Sequence, residues 1–294
     1  MSLAGVVNKV DNPPDVKNAG GVTHFLLLDG GMNLNLMDDV MNLHFPVGRR
    51  WVLEDTAFND EKESGTLLQE MDDDGIFLDK FNQEWSSQHL GIILETRGTI
   101  EDLQQHLKNT ISVDTKDSKD LFFRWHEPRK LAGLLNTLNN EQLSSLLGPI
   151  SKIYWCEYAF DEAHWYEFEN LSEGHNPLQG KIVITKDQLS QLNEYDLYYY
   201  SRTLSRELIN EDKRPESISE EHFARAVLKN IKDALALNIT HSDDINHYIR
   251  IQLEHSNTIA EHKEIRAMFT DETVPPWQRL DNIQQELEKI GKPS

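Results

Sequence analysis

Over the first half of the chain apolar residues come in short blocks or alternate with polar ones; over the second half they recur every three to four residues. The first pattern fits strands and the second amphipathic helices. Blocks rich in β-branched and aromatic residues predict strands at 23–28, 50–53, 75–81, 91–95, 121–125, 152–158 and 165–168. Helices interrupt them. Thr99 is placed to cap a segment with Ile100, Leu103 and Leu107 on one face, and Asp102 stands at the third helical position of a capping box. Pro128 suits the first turn of a second helix carrying Leu131, Leu134, Leu135 and Leu138. Asn140 is placed to cap a short third one, stopped by Gly148-Pro149.

A polar stretch at 170–180, with two glycines and a proline, predicts a linker. After a short run from Ile182 to Thr185 the pattern is helical to the end. Segments begin at Asp187, at Ser219 (with Asn238 as a left-handed stop), at Ser242, near Ile259 and at Pro275-Pro276. Residues 1–20, with Asn12-Pro13-Pro14 and Gly20-Gly21, read as a flexible lead-in. The expected organisation is that lead-in, a mixed lobe over 21–169, the linker 170–180 and a helical lobe over 181–294. The fold class is α+β or α/β: a mixed-sheet N-terminal lobe with helices, then an all-helical C-terminal lobe.

Charge narrows the function classes. With 50 Asp and Glu against 29 Lys and Arg, the formal charge is −21. That disfavours nucleic acid and anionic membrane surfaces, both of which need Lys and Arg. Ten carboxylates between Glu54 and Asp79 face one lysine, Lys62. They form either a solvated face or an acidic docking surface for a basic partner, with Asp72, Asp73 and Asp74 as its candidate residues. The single cysteine, Cys156, excludes an intramolecular disulfide and a multi-thiolate metal site. Its neighbours Ile153, Tyr154 and Trp155 predict an inert buried thiol. No stretch reads as a secretory signal or a membrane span, so a cytoplasmic protein is expected.

No catalytic or metal-binding pattern stands out in the sequence. His241, Asp243, Asp244 and His247 are metal-ligand types, yet Ser242 to Asp244 make a good helix start and the two histidines fall on different helical faces. The run Glu70 to Gly75 has the look of a calcium loop, but its twelfth position is Phe81 instead of a bidentate Glu. No nucleophile elbow, phosphate loop or dinucleotide fingerprint is present. No catalytic residue, metal ligand or cofactor is assigned, and the chain is expected not to be an enzyme. Tyr198-Tyr199-Tyr200 and Tyr154-Trp155 read as core packing, with a partner anchor as the sharper alternative.

Two motifs remain: Leu28-Asp29-Gly30 at the end of an apolar strand, and Arg124-Trp125-His126-Glu127-Pro128-Arg129 before a Leu-rich helix. In their setting, a strand, a capped helix, a charged gap and then Leu147-Gly148-Pro149-Ile150, they resemble the type VI secretion adaptor chaperones. The likeness covers residues of about 22–155 well and continues more weakly over 234–253 and 274–283. Glu127 stands where that family usually has Asp, and Glu is a poor helix cap. The resemblance implies a two-lobed cytoplasmic adaptor that binds the N-terminal region of a cognate type VI effector and helps load it onto the VgrG spike. Within the motif, Arg124 and Arg129 are expected to pair with Glu127 or Asp29 and so to organise the first lobe. An immunity protein neutralising a basic toxin is the second reading, and a hydrolase using scattered carboxylates the third.

Overall fold

Phe25, Leu26, Leu27 and Leu28 are all buried, which a strand achieves only when both faces of its sheet are covered. The structure, a computed structural model, describes residues 5–16, 21–33, 35–43, 48–159, 162–171, 181–211 and 218–290. Its strands are β1 (Val7–Val10), β2 (Thr23–Asp29), β3 (Arg49–Trp51), β4 (Thr66–Glu70) and β5 (Gly91–Thr96). They continue with β6 (Ser112–Thr115), β7 (Leu121–Phe122), β8 (Ile150–Ala159), β9 (Glu162–Glu169) and β10 (Val183–Ile184). Seven form one sheet in the order β1-β9-β8-β5-β2-β4-β3, antiparallel throughout. The other three form a small sheet, β10-β6-β7, whose β10–β6 pair is parallel. The fold is mixed α+β.

Alternation along the strands builds two cores. Leu26, Leu28, Ile93 and Cys156 pack with α1 (Leu36–Asn42) and α2 (Ile76–Lys80), through Leu36, Val40 and Phe77. Phe25, Leu27, Ile92, Leu94 and Trp155 pack with α3 (Ile100–Thr110), α4 (Pro128–Thr137) and α5 (Asn140–Leu147). Each fully buried large apolar side chain contributes roughly 1.5–3 kcal/mol, so replacing one of the apolar residues of the doubly covered strand β2 by a charge is costly.

Local signals were met in part. The Thr99–Asp102 capping box is present. The α5 cap is Asn139, one residue earlier than expected, boxed with Gln142. Residues 75–81, expected as a strand, form α2 followed by a π turn over Phe81–Trp85. The Asp72 carboxylate causes this by accepting the backbone N–H groups of Ile76 and Phe77 at 2.8 and 2.9 Å. Of 121–125 only Leu121–Phe122 is strand. The lead-in contributes β1, because Val7 and Val10 lie opposite Phe168 and Trp165 of β9 and extend the sheet's apolar surface. Both α1 and the penultimate strand β4 escaped the pattern, since each has too short an apolar run to stand out.

Two compact units divide the chain, Met1–Tyr195 and Asp196–Ser294. The division falls inside α6 (Lys186–Asn210), not at 170–180, where residues 172–180 lie outside those described. Gln188 explains why 181–195, expected in the helical lobe, cluster with the sheet. It exchanges amide hydrogen bonds with Gln142 at 2.6 and 3.1 Å and donates to Thr137 O at 3.1 Å. Tyr195 adds a close contact: a Cβ on Gly133 would come within 2.5 Å of its ring. No helix among the described residues is long and apolar enough to cross a membrane.

The second unit is helical, with α7 (Glu220–Ala236), α8 (Ser242–Glu261, bent at His255), α9 (Lys263–Phe269) and α10 (Pro276–Ile290). Phe223, Val227, Ile231, Ile249, Leu280 and Ile283 fill its core together with Leu204 and Leu208 of α6. Asn238, at φ 60°, closes α7 as its position after the apolar run foretold. Buried among these helix ends is Arg279, donating to Phe269 O at 2.6 Å and Leu237 O at 3.1 Å. Its charge complements the carbonyl ends of α7 and α9. Arg279→Ala is expected to cost about 3 kcal/mol, the scale of two charged hydrogen bonds lost to buried acceptors. Urea unfolding followed by circular dichroism measures this; an unchanged midpoint would show that the arginine does not hold the helix ends.

Candidate functional site

Asp29 is the last residue of β2, opposite Thr66 of β4. Its Oδ1 accepts the backbone N–H of Gly31 at 3.1 Å and so caps the 3-10 turn Gly30–Met32. Gly30 sits in a tight place: a Cβ would displace Met37 Cε, at 2.6 Å, and press on the Ser64 and Gly65 carbonyls at 3.0 Å. Asp29 Oδ2 accepts Arg124 Nε at 2.9 Å and Arg124 Nη2 at 2.6 Å. The same oxygen lies 3.3 Å from His126 Nε2, which is itself 3.4 Å from Thr66 Oγ1. Two motifs separated by 95 residues in sequence therefore meet on one carboxylate.

The second motif is held by what flanks it. Trp125 is buried in the core of α3, α4 and α5, and His126 is fully buried beside it. Pro128 opens α4. Glu127 precedes it with extended backbone and makes no side-chain cap, as expected for a Glu in that place. Its buried carboxylate turns to Arg129 instead, with Lys130 at 3.9 Å. Thus Arg124 takes Asp29 and Arg129 takes Glu127, while Leu28 packs in the opposite core. His126 and Thr66 were not singled out from sequence; only the strand register and the burial of the histidine reveal them.

The electrostatics oppose use of Asp29 as a base. Burial by itself pushes its carboxyl up, but the His126 hydrogen bond and the His126 and Arg124 charges outweigh burial and hold the pKa at about 2. A carboxylate so stabilised, with its lone pairs taken by Gly31, Arg124 and His126, orders structure instead of moving protons.

A second polar cluster lies where β2, β5 and β8 adjoin. Glu95 accepts Ser151 Oγ at 2.7 Å, with His24 Nε2 at 3.6 Å and Tyr154 Oη at 3.4 Å. The His24 hydrogen bond, helped by Ser151 and opposed by burial, holds Glu95 below the usual carboxylate range. Burial and the Glu95 and Glu167 charges push Tyr154 up. Polar residues at inward positions of His24-Phe25-Leu26 and Leu94-Glu95 were the available sequence signal. Burial pushes the Cys156 thiol up to about 12, which leaves it unreactive.

The acidic docking triplet needs correction. Asp72 is buried and spends both oxygens on the α2 N-terminus, so it cannot face a partner. Asp73 and Asp74 are exposed. Among the described residues no group of three or more His, Cys, Asp or Glu side chains is placed to hold a metal ion.

Because the unfolded Asp29 takes up its proton near pH 3.8 and the folded one near pH 2, its stabilisation is complete above about pH 4. It is lost as the pH falls from about 4 to about 2, and amounts to roughly 2 kcal/mol. Asp29→Asn should lower stability at pH 7 by about that much and flatten this part of the acid limb. Arg124→Ala, which leaves His126 in place, should cost about 2 kcal/mol. Urea midpoints of the three proteins between pH 7 and 2 test both; acid limbs that run parallel would reject the role of Asp29.

Residues 24–145, which contain both motifs, match the family model described as "Domain of unknown function (DUF4123)". No curated protein and no solved structure matches the chain.

Proposed function

We propose that this chain is a cytoplasmic adaptor chaperone without enzymatic activity, which binds the N-terminal region of a type VI secretion effector and promotes its loading onto the VgrG spike. The observation that carries the reading is the union of the Leu28-Asp29-Gly30 and Arg124-to-Arg129 motifs on one buried carboxylate. Those motifs are the ones that resemble the adaptor family, and both lie within the matched region. Asp29 and Glu127, the carboxylates inside them, are engaged by cations and backbone and not held for chemistry. The formal charge of −21 suits a binder that attracts a basic partner and repels nucleic acid. The VgrG step rests on the resemblance alone.

Co-expression with an effector encoded beside this chain, followed by size-exclusion chromatography, is the test. A stable complex is expected with the effector's N-terminal region, and its toxic domain should be dispensable. Raising salt should slow association more than it speeds dissociation, because exposed charges are screened within about 8–10 Å. Binding only to the toxic domain, with loss of its activity, would establish the immunity reading in place of this one.

A further inference from the structure

Residues 55–58, the C-terminal end of α3 and the small sheet enclose an open cleft of about 740 Å³, in the size range of sites that bind small ligands or a few peptide residues. Val113 and Ile184 are buried, so by alternation Ser112, Asp114, Phe122 and Val183 occupy the other face of that sheet. Phe122 and Val183 are 43% and 53% exposed. Phe58 packs edge-on against Phe122 at 4.9 Å, giving an aromatic wall beside the cleft.

The cleft's lips carry carboxylates. Asp55 and Asp120 line it with side chains 87% and 67% exposed. Lys108 lies 3.9 Å from Asp55, and Lys181 pairs with Asp120. Ion pairs this exposed contribute little, and they leave most of the carboxylate surface open to a ligand's cation. Exposed Asp60, Glu61 and Glu63 follow in the 3-10 turn Asn59–Ser64, against one lysine, Lys62, and keep the local field negative.

Geometry adds the shape of the ligand. β7 is one of the two edge strands of the small sheet. Phe123 N–H donates to Ile111 O at 2.7 Å, and Leu121 pairs with Val113. In an antiparallel ladder the intervening Phe122 therefore turns its own N–H and C=O to the outer side, where an extended chain can pair with them. We propose that this cleft docks an extended basic peptide segment, whose Lys or Arg side chains reach Asp55 and Asp120 while its alternate apolar residues cover the Phe58–Phe122 wall. The origin of that segment in the effector rests on the adaptor reading; the chemistry of the cleft does not.

The probe is a fluorescein-labelled, end-capped peptide of alternating Lys and Val, titrated with the full chain and followed by anisotropy; its Glu-Val counterpart is the control. Saturable binding of the Lys peptide is expected, weakened roughly tenfold by Asp55→Asn/Asp120→Asn and by Phe122→Ser, but less than about twofold by Asp73→Asn/Asp74→Asn, which removes the same charge elsewhere. Asn tolerates the positive φ at Asp55 and Asp120 (57° and 55°), and a thermal melt checks that each variant folds. For wild type, hydrogen exchange should slow around 55–58 and 120–123 when the Lys peptide is added. Equal weakening by the two double variants, equal affinity for the Glu peptide, or protection confined to other segments would overturn the proposal. If an effector's N-terminal region binds the Asp55→Asn/Asp120→Asn chain as tightly as wild type, the cleft is not its site and the adaptor reading stands. If the Lys peptide binds as described while no effector does, the cleft stands and the adaptor reading fails.

Discussion

A carboxylate at the end of a strand covered on both faces costs several kcal/mol unless cations and donors surround it. Asp29 is in that position. Its demand for partners fixes the segment 124–127 against the strand, because Arg124 and His126 are the groups that meet it. Once they are engaged, Trp125 is seated in the core and Pro128 starts α4 in place. The long excursion from β2 through α3, β6 and β7 is thereby closed by one ionic contact, reinforced by apolar burial on either side.

The arrangement also separates two kinds of acidic residue. Asp29, Asp72, Glu95 and Glu127 are drawn inward and consumed by arginine, histidine, hydroxyl or helix N–H partners. Asp55, Asp73, Asp74 and Asp120 are left outside. The first set supplies stability and order. This division permits a strongly negative surface without an uncompensated negative charge in the core.

The helical unit solves a related problem with the opposite charge. Its helix C-termini converge, and their carbonyls need donors that solvent cannot deliver inside the core. Arg279 provides them from α10. The same economy appears in the first unit at Gln188, whose side-chain amide donates to the α4 end at Thr137 O and accepts the Thr185 N–H at the α6 start.

Patterns of near neighbours were sufficient for much of this. The strands at 23–28, 91–95 and 152–158, the Thr99–Asp102 box, the Pro128 helix start, the Asn238 stop and the helical second half were legible because each depends on residues a few positions apart. The two motifs were legible as well, and Asp29 was among the partners expected for their arginines. What sequence could not decide was pairing and exposure. It did not reveal that Arg124 takes Asp29 while Arg129 takes Glu127, that His126 and Thr66 complete the cluster, or that β1 and β4 join the sheet. Nor did it show that Asp72 faces inward to turn 75–81 into helix, or that α6 begins within the first unit. Local propensity is set by contacts along the chain. Which carboxylate is buried, and what neutralises it, is set by strand register and packing among segments far apart in sequence, 95 residues for Arg124 and Asp29, and those exist only in the folded molecule.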